Sequence, residues 1–470
     1  MDNPQEPKPK AKKTTLIAII AVVVVVIVIG SVLALDPGLY TPKTTTNAAT
    51  QKIFVYSGPG GQKNSEHLLG GDVIAAAQTN TNSSQNEAMY QFMAYMMSGS
   101  VQQQYLVHTG FIPVDNYNGS SSGQAVHSFY SSSNATISLT YYDDIAPSDS
   151  SFVQGVISQF EHAYPNIKVN YVNTVATSIL SSVESHVHTT SAIVMSIDNL
   201  DVGALVYGHY LKNLNNTASK INPATTISSI TNLTNYETQA FGGIFFLTER
   251  VNIPLVWINY SAMQKAGINT PPTTDAQLLQ DAKTMYTYYK TGMVNFQGHG
   301  GASTATELYQ WFVQAGGNPM VFNDTGDIQA MQFIYNLSKY FSPEYKTSYW
   351  ANYKGLASNK YTMMDYQWPG SVNLTALGMQ PYNASNTASN ASATAIKQGV
   401  FLRTPVPWIS EWQTLMDNAW TSLIVNNGNY SSIAHVLGTE NAAMYNYLLT
   451  NYNYTVAQNY ENGTYAPIVS

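Results

Sequence analysis

Apolar residues follow distinct patterns along the chain, and each pattern predicts a different kind of element. Residues 15–35 (TLIAIIAVVVVVIVIGSVLAL) form an unbroken apolar run, which is about the 20 residues that a helix needs to cross the bilayer core. Residues 1–14 before it are polar and contain several lysines. Because basic flanks stay in the cytoplasm, we predict a cytoplasmic basic tail, one transmembrane helix and an extracellular bulk of the chain, located at the cell membrane.

Two fates of this apolar segment remain open. The run is longer than the apolar core of a secretory signal and no clear A-x-A cleavage site follows it, which favours a retained anchor. The alternative is processing near Lys13, in the style of an archaeal prepilin-like signal. Residues 36–50 (DPGLYTPKTTTNAAT) are polar and rich in Thr, and we expect them to form a stalk.

Strand and helix patterns alternate in residues 136–470. Strands are predicted at 137–142, 167–172, 191–197 and 253–258, and an amphipathic helix follows the first of them and stops at Pro165. Further helices are predicted at 276–290, 305–317, 327–341 and 409–424. This order predicts an α/β domain with a largely parallel sheet.

The part of the chain before this domain has its own elements. Residues 51–118 contain strand patterns at 52–57 and 72–77 and a helical pattern at 83–106. Residues 119–135 are rich in Gly and Ser, which is typical of a flexible linker. Residues 379–398 are polar and of low complexity, and we expect a loop there.

Composition narrows the classes of function. Charged residues make up only 10% of the chain and the formal net charge is -7, which argues against a nucleic-acid partner. The absence of cysteine excludes disulfides, thiolate metal sites and a Cys nucleophile. No metal or other cofactor is predicted, since the pair His186 and His188 is more typical of an exposed helix end than of a metal site.

The polar residues indicate an outside environment. Sequons such as those beginning at Asn134 and Asn373 fit an extracellular glycoprotein. A surface of amides and hydroxyls keeps its charge state when carboxylates protonate, so we hypothesise an acidic habitat.

Five phrases in a fixed order resemble the family 1 extracellular solute-binding proteins, the sugar receptors of ABC importers, of which maltodextrin-binding protein is the familiar member. They cover most of residues 136–455. The phrases are ISLTYYDDIAPSDSSFVQGVISQFEHAYPNIKVNYV (137–172), PLVWINYSAMQKAGINTPPTTDAQLLQDAKTM (254–285), LYQWFVQAGGNPMVFND (308–324), YTMMDYQWPGSV (361–372) and LRTPVPWISEWQTLMDNAWTSLI (402–424). The resemblance implies a two-lobed fold of the type II periplasmic-binding-protein kind, with a hinge between the lobes.

One piece of the family's pattern is absent between Gly370 and Arg403. It consists of a Gly-Gly strand, a helix and a Gly-Phe-x-Pro phrase, and a similar piece stands instead at residues 67–114, ending in HTGFIPV. The resemblance therefore implies that residues 51–118 are a late segment moved to the front, which packs with the solute-binding fold of residues 136–470. The alternative is that residues 51–118 form a separate small domain.

The resemblance also implies a set of ligand-binding residues at strand ends and on the closing helix. Ordinary core packing is the alternative for each Trp, and a helix cap or solvated loop is the alternative for the Asp and Asn pairs. Asp72 stands where the family often has Trp after the Gly-Gly turn. The implied residues are Gly70, Gly71, Tyr142, Asp143, Asp144, Asp198, Asn199, Glu249, Asn252, Trp368 and Trp412.

The implied function is capture of a mono- or oligosaccharide between the lobes and its delivery to an ABC permease. The permease and its ATPase subunits are the implied partners, together with the membrane, and no enzymatic activity is expected. Two alternatives stay open, a surface carbohydrate-active enzyme and a structural cell-surface protein. No G-x-S-x-G phrase is present, and no carboxylate pair stands out as the acid and base of a glycosidase.

Overall fold

The computed structural model describes residues 51–114, 128–130, 135–221, 228–347, 354–368 and 377–464. The basic tail, anchor and stalk predicted at residues 1–50, and most of the predicted linker, lie outside the described residues. Within the described residues, no helix combines the length and the apolar character needed to cross a bilayer. Residues 50–470 make up one compact unit.

A mixed sheet of six strands forms the centre of the first lobe. Its order is β11-β2-β5-β3-β4, and β6 pairs with β2. Parallel pairing joins β3 to both β4 and β5, whereas β2 runs antiparallel to β5 and β6. The strands are β2 (His67–Ala76), β3 (Ile137–Asp143), β4 (Ile167–Asn173), β5 (Ala192–Asp198), β6 (Phe246–Asn252) and β11 (Val400–Leu402).

A second sheet of five strands forms the centre of the second lobe, in the order β10-β1-β7-β9-β8. The chain passes from the first sheet to the second between β6 and β7, at Ile253 and Pro254. Pro254 lacks a backbone donor, so it suits a break between two strands. The strands are β1 (Lys52–Tyr56), β7 (Leu255–Asn259), β8 (Val294–Asn295), β9 (Met363–Gln367) and β10 (Gln380–Pro381).

Helices cover both sheets, and their apolar faces form the core. Val153, Val156 and Phe160 are buried along one face of α3, as the helical period of the sequence predicts. The helices are α1 (Ser83–Met96), α2 (Gly99–Thr109), α3 (Ser150–Ala163), α4 (Ala176–His186), α5 (Val202–Tyr207), α6 (Ala218–Ile221), α7 (Ser228–Phe241), α8 (Tyr260–Lys265), α9 (Asp275–Tyr289), α10 (Gly301–Gln314), α11 (Thr325–Ser338), α12 (Lys354–Ala357), α13 (Ala388–Gln398), α14 (Ile409–Trp420), α15 (Ile433–Asn451) and α16 (Tyr454–Glu461). A π-helical turn, Thr421–Val425, continues α14.

Residues 51–114 contribute to both lobes. β1 pairs with β7 in the second sheet, and β2 pairs with β5, β6 and β11 in the first. Helix α1 packs on the first sheet, where the Phe92 ring meets the rings of Tyr141 and Phe160 edge-on, at centroid distances of 5.0 Å. The hydrophobic core of the first lobe is therefore built in part from this early segment.

The structure corrects three expectations about secondary structure. Residues 388–398 form a helix and not a loop, because the Thr387 side chain caps it by accepting from the Asn390 amide at 3.2 Å and because Ala391 and Ala395 are buried beneath it. The helical pattern at 83–106 is two helices, divided at Met97 and Ser98. The first sheet is mixed and not largely parallel, because β2 runs antiparallel to β5 and β6.

Candidate functional site

A cavity of about 340 Å³ lies where residues of the two lobes face each other. This volume falls within the range of roughly 300–1,000 Å³ that small-molecule sites occupy. The first lobe contributes the middle of β2 and the ends of β3, β5 and β6, and the second lobe contributes the first turns of α10 and the end of β9. Phe111, Arg403 and Gln413 complete the lining.

Two adjacent glycines shape the side of the cavity formed by β2. Gly71 has a φ of +125°, and a Cβ there would lie 1.9 Å from the Arg250 carbonyl oxygen, so only glycine fits. A Cβ on Gly70 would lie 2.4 Å from the Trp368 ring. The missing side chain at Gly70 therefore lets the Trp368 indole rest directly on the β2 backbone.

A buried guanidinium lies beside the cavity. The Arg250 Nε atom donates to Asp72 Oδ2 at 2.7 Å, and its Nη2 atom donates to Asp143 Oδ1 at 2.8 Å. The rings of Tyr105 and Phe111 lie 5.4 and 5.6 Å from the guanidinium carbon. Arg250 is fully buried, so these carboxylates and aromatic faces replace the water that the cation has lost.

A second guanidinium joins the loop after β5 to the segment after β11. Arg403 Nη2 donates to Asp198 Oδ1 at 2.5 Å and to Asn199 Oδ1 at 2.7 Å. Asp144 Oδ2 accepts from the Asp198 backbone amide at 2.8 Å, which ties the loop after β3 to the loop after β5. These contacts hold the polar strand ends of the first lobe in fixed positions.

Aromatic side chains from the end of β9 form part of the second-lobe wall. The rings of Tyr366 and Trp368 meet edge-on, with centroids 5.7 Å apart. Tyr366 has a φ of +95°, a backbone conformation that a bulky residue rarely adopts and that is most often found at functional sites. The half-buried indole of Trp368 lines the cavity.

Burial raises the pKa of several carboxyl groups in the cavity. Desolvation raises the pKa of Asp72 to about 6 against the opposing effect of Arg250, and it raises the pKa of Asp201 to about 7. Desolvation also raises the pKa of Asp144 well above its ordinary value, and Asp72 adds to that shift. Burial therefore makes the ionised form of each of these groups less favourable than it is in water.

Five of the eleven predicted site residues line this cavity. They come from the middle of β2, the residue after β3, the ends of β5 and β6, and the residue after β9. They are Gly71, Asp144, Asp198, Asn252 and Trp368.

The other six predicted residues are placed outside the lining. Asp143 and Glu249 are fully buried, and they serve the Arg250 cluster and the Ser196 hydroxyl. Asn199 is held by Arg403, and Gly70 lies under Trp368. Tyr142 packs against the hydrophobic core.

Trp412 corrects the expectation of a stacking aromatic on the closing helix. It is fully buried, its Nε1 donates to the Pro319 carbonyl at 2.9 Å, and its ring is stacked with that of Phe322. The neighbouring Gln413 lines the cavity instead, because successive helical residues point about 100° apart.

Several residues that line the cavity were not predicted as site residues from the sequence. Asp72 was treated only as a departure from the family's pattern, and Asp149, Asp201, Tyr366 and Arg403 were not singled out. Asp201 lies three positions after Asp198 in the same loop, so a wider window at that strand end would have included it. Phe111 belongs to the HTGFIPV phrase. The sequence analysis used the position of this phrase in the chain but predicted no ligand contact from its side chains.

No family model matches the chain, and no curated protein does. Solved structures do match. They include the galacto-N-biose/lacto-N-biose I-binding protein of the ABC transporter from Bifidobacterium longum in complex with lacto-N-biose, with 12% identity over 68% of this chain and 98% of that one and a TM-score of 0.51.

Two further structures are less similar in shape. The GacH receptor of Streptomyces glaucescens, solved unliganded and with acarbose, matches at 14% identity over 67% of this chain and 99% of that one, with a TM-score of 0.48. An ABC transporter solute-binding protein from Thermotoga lettingae bound with α-D-tagatose matches at 15% identity over 65% and 100%, with a TM-score of 0.46. At these identities the likeness is one of fold, and the first match shows that the chain has the two-lobed α/β fold of a solute-binding protein.

Proposed function

We propose that this protein is the substrate-binding component of an ABC importer and captures a mono- or oligosaccharide between its two lobes. The observation that carries the proposal is the cavity between the lobes, where the Trp368 indole and a set of carboxylates share one lining. A sugar ring has an apolar face that an aromatic ring covers and a rim of hydroxyls that carboxylates and amides bind. Asp144, Asp198 and Asn252 supply such groups beside Trp368.

Closure of the lobes is the proposed mechanism of capture. Binding proteins of this type close around a ligand by a hinge motion, and the short passage at Ile253 and Pro254 between β6 and β7 is a place where such a motion can occur. The ligand would then be contacted by the first lobe through Asp198 and by the second through Trp368. Delivery to a permease and its ATPase subunits follows from this role.

The proposal includes the location of the protein. A membrane-anchored, extracellular and archaeal glycoprotein fits the apolar run at 15–35, the basic tail before it and the sequons after it. A receptor that stays tethered by its own helix remains close to its permease, so the anchor has a functional reason.

The proposal also includes the origin of residues 51–118. We infer that they are the family's late segment moved to the front, where they complete the solute-binding fold. β2 supports this inference, since it inserts between β5 and β6 and brings Gly71 and Asp72 to the cavity. A long flexible connection adds little closure entropy, so a linker at 119–135 permits this order of segments.

Thermal shift of the full chain against mono- and oligosaccharides tests the function. A ligand at 100 times its Kd stabilises the protein by about 2.7 kcal/mol, so a saccharide that binds will raise the melting temperature visibly. Trp368→Ala should lower the affinity at least tenfold, because it removes the aromatic face. The matched control Tyr288→Ala removes an aromatic that is 54% exposed and is not part of the cavity lining, and it should leave the shift unchanged.

The same incubations distinguish a receptor from an enzyme. Chromatography of the saccharides afterwards should return them intact, since a receptor releases what it binds. Cleaved products that disappear in an Asp144→Asn variant would contradict the receptor proposal and favour a glycosidase. A folded protein that no saccharide stabilises would contradict the sugar assignment.

A further inference from the structure

The lining of the cavity holds far more carboxyl groups than cationic groups. Among the described residues that line it, one is an arginine, Arg403, and five are aspartates. They come from three separate parts of the first lobe, namely β2 and the loops after β3 and β5. The carboxylates are Asp72, Asp144, Asp149, Asp198 and Asp201.

The two guanidinium groups at the cavity are already engaged. Arg250 binds Asp72 and Asp143, and Arg403 binds Asp198. Each guanidinium carries a single positive charge, so these two cations do not balance the five carboxylates of the lining together with buried Asp143. Among the described residues, Asp149 and Asp201 form no ion pair, and Asp144 meets only the shared Arg250, at 3.8 Å.

One carboxylate oxygen of Asp144 has no hydrogen-bond donor among the described residues. Its side chain is only 10% exposed, and it lines the cavity. Its Oδ1 atom has no hydrogen-bond partner within the described part of the chain, and the nearest cationic atom, Arg250 Nη2, lies 3.8 Å away. A buried carboxylate oxygen without a donor is costly, so a ligand that supplies a donor at this oxygen gains affinity.

The other two carboxylates reinforce this point. No hydrogen bond or ion pair joins the side chain of Asp149 or Asp201 to a residue that the structure describes. The first turn of α10 faces the same cavity through Ala302 and Ser303, and a helix N-terminus contributes roughly half of one positive charge. That is too little to balance three carboxylates.

We propose that the ligand carries a protonated primary amine among its hydroxyls, as an amino sugar or an oligosaccharide of amino sugars does. This proposal rests on the proposed function and narrows its substrate class. A neutral hydroxyl donates one hydrogen bond and leaves the carboxylate charge in place, whereas an ammonium group donates up to three and neutralises it. Charge-assisted hydrogen bonds are also about twice as strong as neutral ones.

A matched set of disaccharides tests this preference. Chitobiose with free amines, N,N′-diacetylchitobiose and cellobiose share one β-1,4-linked scaffold and differ at C2 in an ammonium, an acetamide or a hydroxyl group. Glucosamine, N-acetylglucosamine and glucose form the same series at the size of one ring. Isothermal titration of the full chain at pH 7 should give the amine in one of the two series an affinity at least tenfold above that of both neutral analogues.

Substitutions of cavity carboxylates test whether the preference for the amine arises in the cavity. Asp144→Asn and Asp201→Asn keep the size of each side chain and remove its charge, so each should reduce the advantage of the amine at least fivefold while neutral analogues change little. Glu161→Gln, which removes a carboxylate on α3 that is paired with exposed Lys168, is the matched control and should leave the advantage intact. If a cavity variant does not fold, the affinities of the wild-type protein for the two series of sugars still decide whether the amine is preferred.

The outcomes separate this inference from the function on which it rests. A neutral sugar that binds as tightly as its amine overturns the amine preference and leaves the sugar receptor standing. An amine advantage that survives both Asp variants also overturns the proposal, because the charge would then lie elsewhere. If neither series binds, the amine proposal fails, and the wider panel of saccharides decides the receptor proposal. If only the plain diamine putrescine binds, both proposals fail.

Discussion

At the scale of single residues, Arg250 contributes both to the stability of the first lobe and to the shape of the cavity. Its guanidinium joins Asp72 on β2 to Asp143 on β3, and it does so in a fully buried position. Removing one partner of a buried ion pair is far more destabilising than replacing the whole pair, because it leaves uncompensated charge behind. The residue therefore links a structural role to the shape of the cavity that Asp72 lines.

Arg250→Met should lower the free energy of unfolding by about 3–5 kcal/mol at pH 7, as expected for a broken buried pair. Chemical denaturation followed by circular dichroism measures the change. The control is Lys168→Ala, which breaks the exposed pair with Glu161 at 3.8 Å and should cost less than about 1 kcal/mol. Equal effects of the two substitutions would refute the role given to Arg250.

The cost of Arg250→Met should shrink as the pH falls from 7 to 4. Burial already raises the pKa of Asp72 to about 6 in the folded protein, above its ordinary value of 3.8. The folded state therefore binds the proton before the unfolded chain does, and its stability rises as the pH falls through this window. Without the cation that pKa lies higher still, so protonation restores more stability to the variant than to the wild type.

At the scale of elements, β2 is the strand on which the first lobe depends. Its register against β6 shifts between Asp72 and Val73, directly after the positive-φ residue Gly71. Such an irregularity re-aims side chains and is frequent beside functional sites. Here it lies beside Gly71 and Asp72, which line the cavity.

Gly71→Ala should destabilise the protein by about 2–4 kcal/mol, since it adds both a strained φ and a backbone clash. Urea unfolding of the full chain measures the loss. Gly155→Ala is the matched control, because Gly155 lies within α3 and a Cβ there meets no atom within 4 Å. That substitution should stabilise the protein by roughly 0.5–1 kcal/mol, and a neutral result at Gly71 would contradict the close approach of its backbone to the Arg250 carbonyl.

At the scale of the whole molecule, residues 51–114 are a structural part of both lobes. Their two strands pair with partners that lie far along the chain, including β7 in one sheet and β5 in the other. A separate small domain would keep its strand partners within itself. The pairing instead predicts that this segment and the rest of the chain unfold together.

Cleavage between the segment and the remainder tests this prediction. A protease site inserted in residues 119–127 should be cut without separating the two fragments, because strand pairing and the α1 contacts hold them together. Size-exclusion chromatography in native buffer should show one peak, and denaturant should release two. Separation in native buffer, or two independent thermal transitions, would favour the separate domain.

The sequence by itself determined most of the elements and the order of the family's phrases. A helical or strand period fixes which residues share a face, and this was enough to predict the strands near 137, 167 and 191 and the apolar face of α3. The family resemblance, and not the period, pointed to strand ends, where Asp144, Asp198 and Trp368 line the cavity. The helix at 388–398 was missed because its polar composition hides a cap and two buried alanines.

Only the tertiary structure decided which side chain at each of these places reaches the cavity. Asp143 and Asp144 are neighbours, yet one is buried under Arg250 and the other lines the site. On α14, Trp412 is likewise buried in the core, whereas its neighbour Gln413 lines the cavity. A period fixes the faces of an element but not what each face meets, because that depends on contacts between residues distant in the chain, such as those that place β2 beside β5.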